Sequence, residues 1–489
     1  MRTWTLALPI DRDAPAPVVS QLAHALAGHI AAGRLRPGEQ LPGTRDLARV
    51  LKVHRNTVLA AYGELGAEGW VETSPSRGTF VSRAIPEALR ARAPRVARSA
   101  GFRVEAGPPP RPTRDAPGVL DLGGGIPDLG LVPIAELARA HRRALRRPGI
   151  LDYAGPQGEE RLRVAIGAML AKARGLDPDP ECLVVTRGSQ HALMLVARAL
   201  VRPGDVVAVE ELGYRPAWEA LRATDARLVP LPLDGDGLRV EALEALARRE
   251  RVRAIYLTPQ HQYPTTVTLP AGRRLSLLRI AAAEKIAIVE DDFDGDFHYD
   301  TRPVLPLASS DPAGVVVYVG TFSKILAPAL RTGYVHAPRE VVSAVAAHRR
   351  YVDGLGDRAM ELAIAELLED GEIQQHVWRM RRIYAERRDA LVEALRSELA
   401  GAIDFDVPAG GMALWCRTAP GIDVARWEAA ALEQNVRFDP GSGSAFDGRP
   451  RSALRIGFAR HAERELREGV RRMAAALRAM RAPSSARPR

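Results

Sequence analysis

Hydrophobic positions follow one pattern near the N-terminus and another over most of the chain. Near the N-terminus, Val18, Leu22, Leu26 and Ile30 recur every four residues, which predicts one buried helix face, and Gly33 ends that helix. Farther along, short apolar runs alternate with amphipathic helical stretches. This alternation is typical of an α/β domain, because helices cover a sheet built from the apolar runs.

The segment after the first helix predicts a helix-turn-helix with a β-wing. Residues 44–50 predict a short helix with Thr44 as its N-cap, and a tight turn leads into a second helix from Arg55 to Tyr62. Two short strands then flank a polar turn. They are expected at residues 70–73 and 78–81, around residues 74–77.

Polar side chains lie where this second helix would enter the major groove of DNA. His54, Arg55 and Asn56 open the helix, Arg45 lies in the preceding helix, and Arg77 lies at the tip of the wing. Arginine can fork to a guanine edge or hold a phosphate, and asparagine can pair with adenine. The pattern therefore favours a reader of double-stranded operator DNA over a plain small helical domain.

Composition sets the domain organisation. A chain of 489 residues is too long for one core, and residues 83–118 alternate Arg, Ala and Pro, which predicts a linker. The linker arginines either contact DNA phosphates or keep the segment solvated. We expect a DNA-binding domain at 1–82, the linker at 83–118, a large α/β domain at 119–482 and a disordered tail at 483–489.

Net charge and cysteine usage bear on the class of binding partner and on the redox compartment of the protein. A formal net charge of +10 is compatible with a polyanionic partner, although it also follows from a general preference for arginine. Cys182 and Cys416 lie far apart in apolar runs, which predicts buried free thiols in a reducing cytoplasm. We find no signal peptide and no apolar run of membrane-spanning length, so neither export nor membrane insertion is expected, and no metal site is predicted.

Lysine usage points to covalent chemistry at one position. Only four of the 69 lysine and arginine residues are lysines, and Lys324 lies in the segment Gly320-Thr321-Phe322-Ser323-Lys324, seven residues before Arg331. A lysine amine can lose its proton and attack an aldehyde, whereas a guanidinium stays charged. Lys324 is therefore interpreted as the Schiff-base residue for pyridoxal 5'-phosphate, with an ordinary loop lysine as the alternative.

Two strand ends supply candidate cofactor contacts. The run Leu183–Thr186 is followed by Gly188, Ser189 and Gln190 and then by a helix from His191, so free N–H groups at the helix start suit a phosphate. A second buried strand at residues 286–289 ends in Glu290-Asp291-Asp292. Asp291 could pair with a protonated pyridine nitrogen, while a solvated acidic turn remains the alternative, above all for Asp292 and Asp294.

Two further side chains are candidates for ligand contact. Tyr214 could lay its ring on the pyridine face, or it is a structural tyrosine. Arg455 lies inside the apolar run Leu454-Arg455-Ile456, where an unpaired guanidinium is unfavourable. It therefore needs a carboxylate, either from an internal Asp or Glu or from an amino acid ligand held by a bidentate fork.

Residues 17–82 resemble the GntR-type winged-helix DNA-binding domains. The resemblance is carried by Arg34-Leu35-Arg36-Pro37-Gly38-Glu39-Gln40-Leu41-Pro42, Arg45-Asp46-Leu47-Ala48, Val53-His54-Arg55-Asn56-Thr57-Val58 and Arg77-Gly78-Thr79-Phe80-Val81. It implies DNA contacts from Arg45, His54, Arg55, Asn56 and Thr57, with Arg77 and Gly78 at the minor groove. Gly63 inside the second helix has no functional explanation.

Residues 119–480 resemble the fold-type I, aspartate-aminotransferase-like domains. The motifs occur in the family's order: Asp152-Tyr153-Ala154-Gly155, Gly188-Ser189-Gln190, Tyr214, Asp291, Thr321-Phe322-Ser323-Lys324 with Arg331, Gly410-Gly411-Met412 and Arg455. The resemblance implies a pyridoxal phosphate-dependent large domain and a small domain. It assigns the phosphate to Gly188, Ser189, Gln190, Thr321, Ser323 and Arg331, and places Tyr153 at the neighbouring subunit's site.

Two positions depart from the aminotransferase pattern. Phe293 stands where related sequences usually carry a tyrosine that supports the cofactor's phenolic oxygen, and Thr266 replaces the usual glycine. Both departures bear on the tuning of the cofactor's imine. We therefore expect at most weak transaminase activity.

From end to end, the chain resembles the MocR family of bacterial transcription regulators. The resemblance implies a homodimer, head to tail, in which a small amine or amino acid effector displaces Lys324 by transaldimination while Arg455 holds its carboxylate. Two alternatives stay open. One is a regulator that senses pyridoxal phosphate itself and controls its synthesis, and the other is a working aminotransferase with a DNA-binding appendage.

Overall fold

A computed structural model describes residues 8–84, 102–103, 118–176, 178–299 and 304–481. The chain divides into two compact units, Met1–Pro112 and Thr113–Arg489. The predicted tail lies outside the described residues. So does the predicted linker, apart from residues 83–84, 102–103 and 118.

The N-terminal unit is a cluster of three helices followed by an antiparallel hairpin. Each helix turns one apolar face inward, so that Leu22, Leu47 and Val58 are buried together, and Val71 and Val81 close the core from the hairpin. This is the predicted winged helix-turn-helix. Its elements are α1 (Val18–Ala31), α2 (Thr44–Leu51), α3 (Arg55–Ala67), β1 (Val71–Ser74) and β2 (Gly78–Val81).

The prediction that Thr44 caps its helix is wrong. Gly43 holds the N-cap position with φ −58° and ψ 144°, and Thr44 is the first helical residue. A capping side chain must stand on the extended residue before the helix, so the Thr44 hydroxyl is one position too late to cap. It accepts a 3.4 Å hydrogen bond from Nε of Arg55 instead, which ties α2 to the start of α3.

The C-terminal unit contains a seven-stranded sheet covered by helices on both faces. Every neighbouring pair of strands is parallel except the pairs that β12 forms, and the spatial order is β4 (Leu183–Thr186), β12 (Gly333–His336), β11 (Val316–Thr321), β10 (Ala287–Asp292), β9 (Val252–Leu257), β5 (Val206–Glu210) and β6 (Arg227–Leu231). Side chains alternate between two cores: Val207 and Val209 face one core and Ala208 faces the other. The predicted α/β architecture is confirmed.

A smaller antiparallel sheet follows, in the order β13-β14-β17-β16, and packs against the C-terminal helices. The strands of the unit are β3 (Leu120–Asp121), β4 (Leu183–Thr186), β5 (Val206–Glu210), β6 (Arg227–Leu231), β7 (Leu233–Asp234), β8 (Gly237–Leu238), β9 (Val252–Leu257), β10 (Ala287–Asp292), β11 (Val316–Thr321), β12 (Gly333–His336), β13 (Ile403–Phe405), β14 (Ala413–Thr418), β15 (Val436–Arg437), β16 (Asp439–Pro440) and β17 (Ala453–Gly457).

Helices of the same unit cover both sheets. They are α4 (Ile134–Leu145), α5 (Glu160–Arg174), α6 (Ser189–Leu200), α7 (Arg215–Arg222), α8 (Val240–Ala247), α9 (Ala271–Glu284), α10 (Arg339–Val352), α11 (Arg358–Glu369), α12 (Glu372–Glu398), α13 (Val424–Glu433) and α14 (Glu463–Arg481). No helix within the described ranges combines the length and the apolar character that crossing a bilayer requires.

The parallel strands position the candidate site. In an open α/β sheet, the carboxyl ends of parallel strands meet at one edge, where ligands bind. The ends of β4, β5, β9, β10 and β11 all lie at this edge. The predicted cofactor residues follow four of these strands, and the ends of β9 and β10 are hydrogen-bonded neighbours.

Candidate functional site

Asp291 lies near the end of β10 and presents one unused carboxylate oxygen. Its side chain is buried, and the hydroxyl of Tyr256 donates a 2.9 Å hydrogen bond to Oδ2. Oδ1 is also buried and has no hydrogen-bond partner among the described residues. Burial raises the pKa of Asp291 to about 7, because the charged form is poorly solvated there. A cationic N–H donor at Oδ1 would therefore be strongly favoured.

The neighbouring carboxylates are not part of a solvated turn, so that alternative is wrong for Asp292 and Asp294. The strand continues through Asp292, which is buried and accepts hydrogen bonds from Nε of Arg174 at 3.0 Å and the hydroxyl of Tyr318 at 2.6 Å. Burial acts to raise the pKa of Asp292, but the Arg174 charge and the Tyr318 hydrogen bond hold it below its usual value. Asp294 is buried against Nδ1 of His261 at 2.8 Å.

Lys324 lies in the loop that follows β11 and points into the same site. Its side chain is half-buried, and Nζ donates a 2.7 Å hydrogen bond to the carbonyl of Gly125. The Lys324 charge is close enough to Asp291 to oppose the rise in that carboxyl's pKa. The amine and the carboxylate that the sequence singled out are therefore brought together.

The glycine turn after β4 is shorter than predicted, because the helix that follows it begins earlier. Helix α6 begins at Ser189 rather than at His191, and Gly188 is its N-cap with φ +79°. A Cβ at Gly188 would lie 2.9–3.1 Å from the guanidinium atoms of Arg331. The turn thus places the first N–H groups of α6 beside a guanidinium, which is a setting that suits a phosphate.

The loops after β4 and β11 are in direct contact. Nη2 of Arg331, in the loop after β11, donates a 2.9 Å hydrogen bond to the carbonyl of Arg187 in the turn after β4, and a Cβ at Gly333 would lie 3.0 Å from Cα of Gly188. Thr321 and Ser323 are both buried, and their hydroxyls are 3.0 Å apart. Five of the six predicted phosphate residues therefore lie in two adjoining segments: Gly188 and Ser189 where α6 begins, and Thr321, Ser323 and Arg331 between the end of β11 and the start of β12.

Gln190 and Tyr214 lie at the junction of α6 and α7. Nε2 of Gln190 donates a 2.9 Å hydrogen bond to the carbonyl of Pro216, and its Oε1 is buried without a partner in the described part of the chain. Tyr214 is the residue before α7, and its ring lies edge-on to Tyr263 at 5.6 Å. Gln190 is thus engaged in holding two helices together as well as lining the glycine turn.

Arg455 lies in β17 with most of its guanidinium buried and unpaired. Its side chain is only 2% exposed, and Nε and Nη1 have no hydrogen-bond partner among the described residues. The guanidinium carbon lies 4.7 Å from the centroid of the Tyr263 ring. No ion pair of Arg455 with an Asp or Glu of the described chain is present, so of the two partners expected from the sequence, the external carboxylate fits this geometry.

Sequence reasoning missed three residues of this site: Tyr256, Tyr263 and Gly125. The role of Tyr256 depends on the pairing of β9 with β10, which sets it beside Val289 and close to Asp291. A phenol within a buried strand was a usable signal. The run Gly123-Gly124-Gly125 was another, because the backbone there approaches both Lys324 and Arg455.

The two departures from the aminotransferase pattern lie near these aromatic rings. The ring of Phe293 lies edge-on to Tyr263 at 6.3 Å. Thr266 adopts φ +64°, a left-handed conformation that favours glycine and is strained for a β-branched residue. The backbone therefore keeps the shape that suits the usual glycine although the residue has changed.

Tyr153 does not join the cluster within its own chain. Its side chain is 90% exposed, and Leu151 and Tyr351 are also exposed, at 87% each. Its assignment to a neighbouring subunit's site stays a prediction.

The candidate DNA interface is the start of α3. His54 is the N-cap, and its Nδ1 accepts a 3.2 Å hydrogen bond from the backbone of Asn56. His54, Arg55 and Asn56 are exposed, while Thr57 is half-buried. The chain therefore presents three polar side chains at the start of α3 that the sequence assigned to the groove, and His54 also stabilises the helix.

Arg45 and the wing complete the predicted interface. Arg45 is exposed on α2, and Arg77 and Gly78 are exposed at the tip of the hairpin. The guanidinium of Arg77 lies 5.7 Å from the ring centroid of Phe80. The backbone carbonyl of Arg77 accepts a 2.9 Å hydrogen bond from Nε2 of Gln40. The wing tip is thus held from both sides.

Among the described residues, no group of three or more His, Cys, Asp or Glu side chains is arranged to hold a metal ion. The described cysteines, Cys182 and Cys416, are free thiols, half-buried and buried respectively.

Two family profiles match the chain. The one described as "Bacterial regulatory proteins, gntR family" matches residues 18–81, and the one described as "Aminotransferase class I and II" matches residues 117–473. The latter family is pyridoxal phosphate-dependent. The two matches coincide with the two units of the structure.

Individual relatives cover one or both units. The probable rhizopine catabolism regulatory protein MocR of Rhizobium meliloti is 34% identical over 97% of this chain and 96% of its own length. The HTH-type pyridoxine biosynthesis transcriptional regulator PdxR of Corynebacterium glutamicum is 30% identical over 80% of this chain and 81% of its own. The crystal structure of LysN, an alpha-aminoadipate aminotransferase of Thermus thermophilus complexed with N-(5'-phosphopyridoxyl)-L-leucine, matches with a TM-score of 0.69 at 31% identity, covering 74% of this chain and 93% of that one.

Proposed function

Because the chain belongs to the MocR-type regulators, which join a GntR-family winged helix to a class I and II aminotransferase domain, we propose that it is a pyridoxal phosphate-binding transcription regulator that responds to an amino-acid-like amine. The carrying observation is the buried, unpartnered Oδ1 of Asp291 in the same site as the amine of Lys324. A buried carboxylate oxygen without a donor is unfavourable unless a ligand supplies one.

The residues of the site fit this cofactor. Oδ1 of Asp291 is positioned to accept from a protonated ring nitrogen, and Tyr214 supplies a ring at the junction of two helices. The start of α6 and the Arg331 guanidinium suit the phosphate, and a Cβ at Gly188 would fill the space between them. Ser189, Gln190, Thr321 and Ser323 are the remaining proposed phosphate residues.

Lys324 and Arg455 divide the recognition of the effector in this proposal. When bound, pyridoxal phosphate supplies an aldehyde carbon for which the Lys324 amine and an effector amine compete. Arg455 has two buried donor nitrogens without partners among the described residues, Nε and Nη1, so a carboxylate that accepts from this guanidinium would offset the cost of its burial. An α-amino acid carries both groups, so it is the effector class that satisfies both residues.

The response requires two conformations with different effector affinities, since only such a difference can shift operator binding. We propose a head-to-tail homodimer in which Tyr153 reaches the partner's site. The 90% exposure of Tyr153 leaves its side chain available to a second subunit, which supports this proposal. We also propose a cytoplasmic location, which action on operator DNA and the free thiols of Cys182 and Cys416 support.

The test is a footprinting titration of the full chain on DNA upstream of its own gene. It is repeated without cofactor, with pyridoxal phosphate, and with pyridoxal phosphate plus a panel of amino acids. We expect operator affinity to change only when cofactor and one amino acid are both present. A change with pyridoxal phosphate alone would identify a cofactor sensor. Rapid turnover of an amino acid with 2-oxoglutarate and no operator binding would identify an aminotransferase.

A further inference from the structure

A second cleft lies between α5, α12 and the loop that follows β10, away from the residues assigned to the cofactor. Its volume is about 560 Å³, within the range of roughly 300–1,000 Å³ that is usual for small-molecule sites. On α5, Ala165, Ala168 and Lys172 recur at helical spacing and line one wall. The two alanines leave room that larger side chains would fill.

The opposite wall carries an exposed indole. Trp378 of α12 lines the cleft and is 60% exposed, and it forms no ring pair with another aromatic residue of the described chain. Half-buried Met169 adds a polarizable thioether to the lining. An indole face and a thioether together favour a flat, apolar ring over an extended polar ligand.

The cleft is lined by two cations, Lys172 and Arg381, and one carboxylate, Glu369. Nε of Arg381 donates a 2.5 Å hydrogen bond to the carbonyl of Asp296, and its two terminal nitrogens have no hydrogen-bond partner among the described residues. Lys172 forms no ion pair within the described ranges. The lining carboxylate of Glu369 is already held by Arg161, at 2.9 Å from Nε and 2.5 Å from Nη2. Lys172 and Arg381 are therefore the two cations of the cleft that are available to bind an anion.

The cleft is also tied to the charged network beneath the cofactor strand. Asp296, whose carbonyl Arg381 binds, pairs through Oδ1 with Nη2 of Arg174 at 3.1 Å. Arg174 in turn pairs with Asp292, the neighbour of Asp291, at 3.0 Å. The wall of the cleft is therefore part of the packing that fixes the end of β10.

We propose that this cleft is a second ligand site, which binds a flat aromatic monocarboxylate with its ring against Trp378 and its carboxylate between Lys172 and Arg381. The planar guanidinium offers two parallel donors to a carboxylate, and the lysine adds a point charge. The site is independent of Lys324, Asp291 and Arg455. Its ligand needs no amine, which separates it from the effector class proposed above.

Isothermal titration of the full-length protein with 2-naphthoate tests the proposal. The protein carries Arg455→Gln, so that the carboxylate site near the cofactor cannot account for binding. We expect saturable binding of one 2-naphthoate per chain and much weaker binding of the neutral 2-naphthamide. Absence of saturable 2-naphthoate binding, or equal binding of the amide, would overturn the proposal.

Two variants locate the binding. Ala168 is exposed on α5, so Ala168→Leu fills the cleft without disturbing a core and should abolish binding. Ala171→Leu is the matched control, because Ala171 is exposed on the same helix and does not line the cleft. Lys172→Gln should weaken binding by about tenfold, the usual size of a lost charge-assisted hydrogen bond. Unchanged binding by Ala168→Leu would place the ligand elsewhere and refute the site.

Discussion

The hydroxyl of Tyr256 donates a 2.9 Å hydrogen bond to Oδ2 of Asp291 and leaves Oδ1 of the same carboxylate buried without a described partner. Strand pairing fixes this relationship, because β9 sets Tyr256 beside Val289 of β10. One oxygen is thereby held in place while the other is kept for a ligand. The pairing of two strands has prepared a carboxylate for a donor that the described chain does not supply.

Asp291→Asn removes the charge that we assign to the cofactor's ring nitrogen. We expect the dissociation constant for pyridoxal phosphate to rise about ten- to a hundredfold, the size of a lost charge-assisted hydrogen bond of about 1.5–3 kcal/mol. Equilibrium dialysis of the apoprotein measures it. Tyr256→Phe keeps both carboxylate oxygens and should have the smaller effect. If the two variants bound the cofactor equally well, the assignment of Asp291 would be wrong.

Lys324→Arg keeps a positive charge but removes the only proposed Schiff-base amine. An arginine cannot form the bond, so borohydride treatment in the presence of pyridoxal phosphate should leave no pyridoxyl group at position 324. Peptide mass mapping reads the result directly. Lys172→Arg and Lys285→Arg are the matched controls and should still be labelled at Lys324. A wild-type protein without label at Lys324 would end the proposal of a covalently held cofactor.

Gly188→Ala tests the phosphate turn. The new Cβ would lie 2.9–3.1 Å from the Arg331 guanidinium, which must shift, so we expect pyridoxal phosphate affinity to fall. Gly204→Ala is a close control: Gly204 has φ +81° against +79° for Gly188, and a Cβ there would meet nothing within 4 Å. Both glycines have positive φ, so both variants carry backbone strain and should lose some thermal stability. Equal cofactor affinity in the two variants would show that the turn does not hold the phosphate.

The sequence predicted those parts of the site that lie within short motifs. Lys324 and the turn at Gly188 are read from neighbours in the chain, and each lies at the end of a strand in the structure. The buried environment of Asp291 was harder to predict from the sequence. The sequence placed the strand end at Val289, whereas pairing with β11 carries β10 through to Asp292 and buries its carboxylates.

Contacts between distant segments could not be read from local pattern. Gly125 and Lys324 meet across 199 positions of sequence, and Tyr263 lies beneath Arg455 although neither is near the other in the chain. Such contacts follow from the order of the strands, which no single motif encodes. The predicted N-cap of α2 was wrong for a local reason. The choice between Gly43 and Thr44 as the N-cap depends on the backbone angles of a single residue.

Arg55→Ala tests the recognition helix. Arg55 is exposed at the start of α3, and we expect the loss of a base or phosphate contact to weaken specific operator binding by about 1–3 kcal/mol. Footprinting titrations at one fixed salt concentration give the comparison. Arg34→Ala, which removes an exposed arginine outside α2 and α3, controls for the general loss of charge. Equal operator affinity of wild type and Arg55→Ala would refute the assignment of α3.

A buried carboxylate next to the site makes stability depend on pH. Glu210 ends β5, is 1% exposed, and accepts hydrogen bonds from the backbone and hydroxyl of Thr258 at 3.1 and 3.2 Å. Burial outweighs these hydrogen bonds and raises the pKa of Glu210 to about 7, from an ordinary value of 4.5. The folded protein thus keeps a proton that the unfolded chain releases.

The sign of the effect follows from that proton. Because the folded-state pKa lies above the unfolded one, the stabilising contribution is present below pH 4.5 and is lost as pH rises to about 7. The glutamine of the Glu210→Gln variant does not titrate. The free energy of unfolding of this variant, relative to that of wild type, should therefore rise by up to about 3 kcal/mol between pH 5 and pH 8. Urea unfolding of both apoproteins at the two pH values measures this difference in the free energy of unfolding.

Glu290 and Asp291 also titrate near pH 7 but do so in both proteins, so their contributions cancel. Glu241→Gln, which removes an exposed carboxylate, is the control. If the difference in unfolding free energy between wild type and Glu210→Gln were the same at pH 5 and pH 8, Glu210 would be ionised in the folded protein throughout this range.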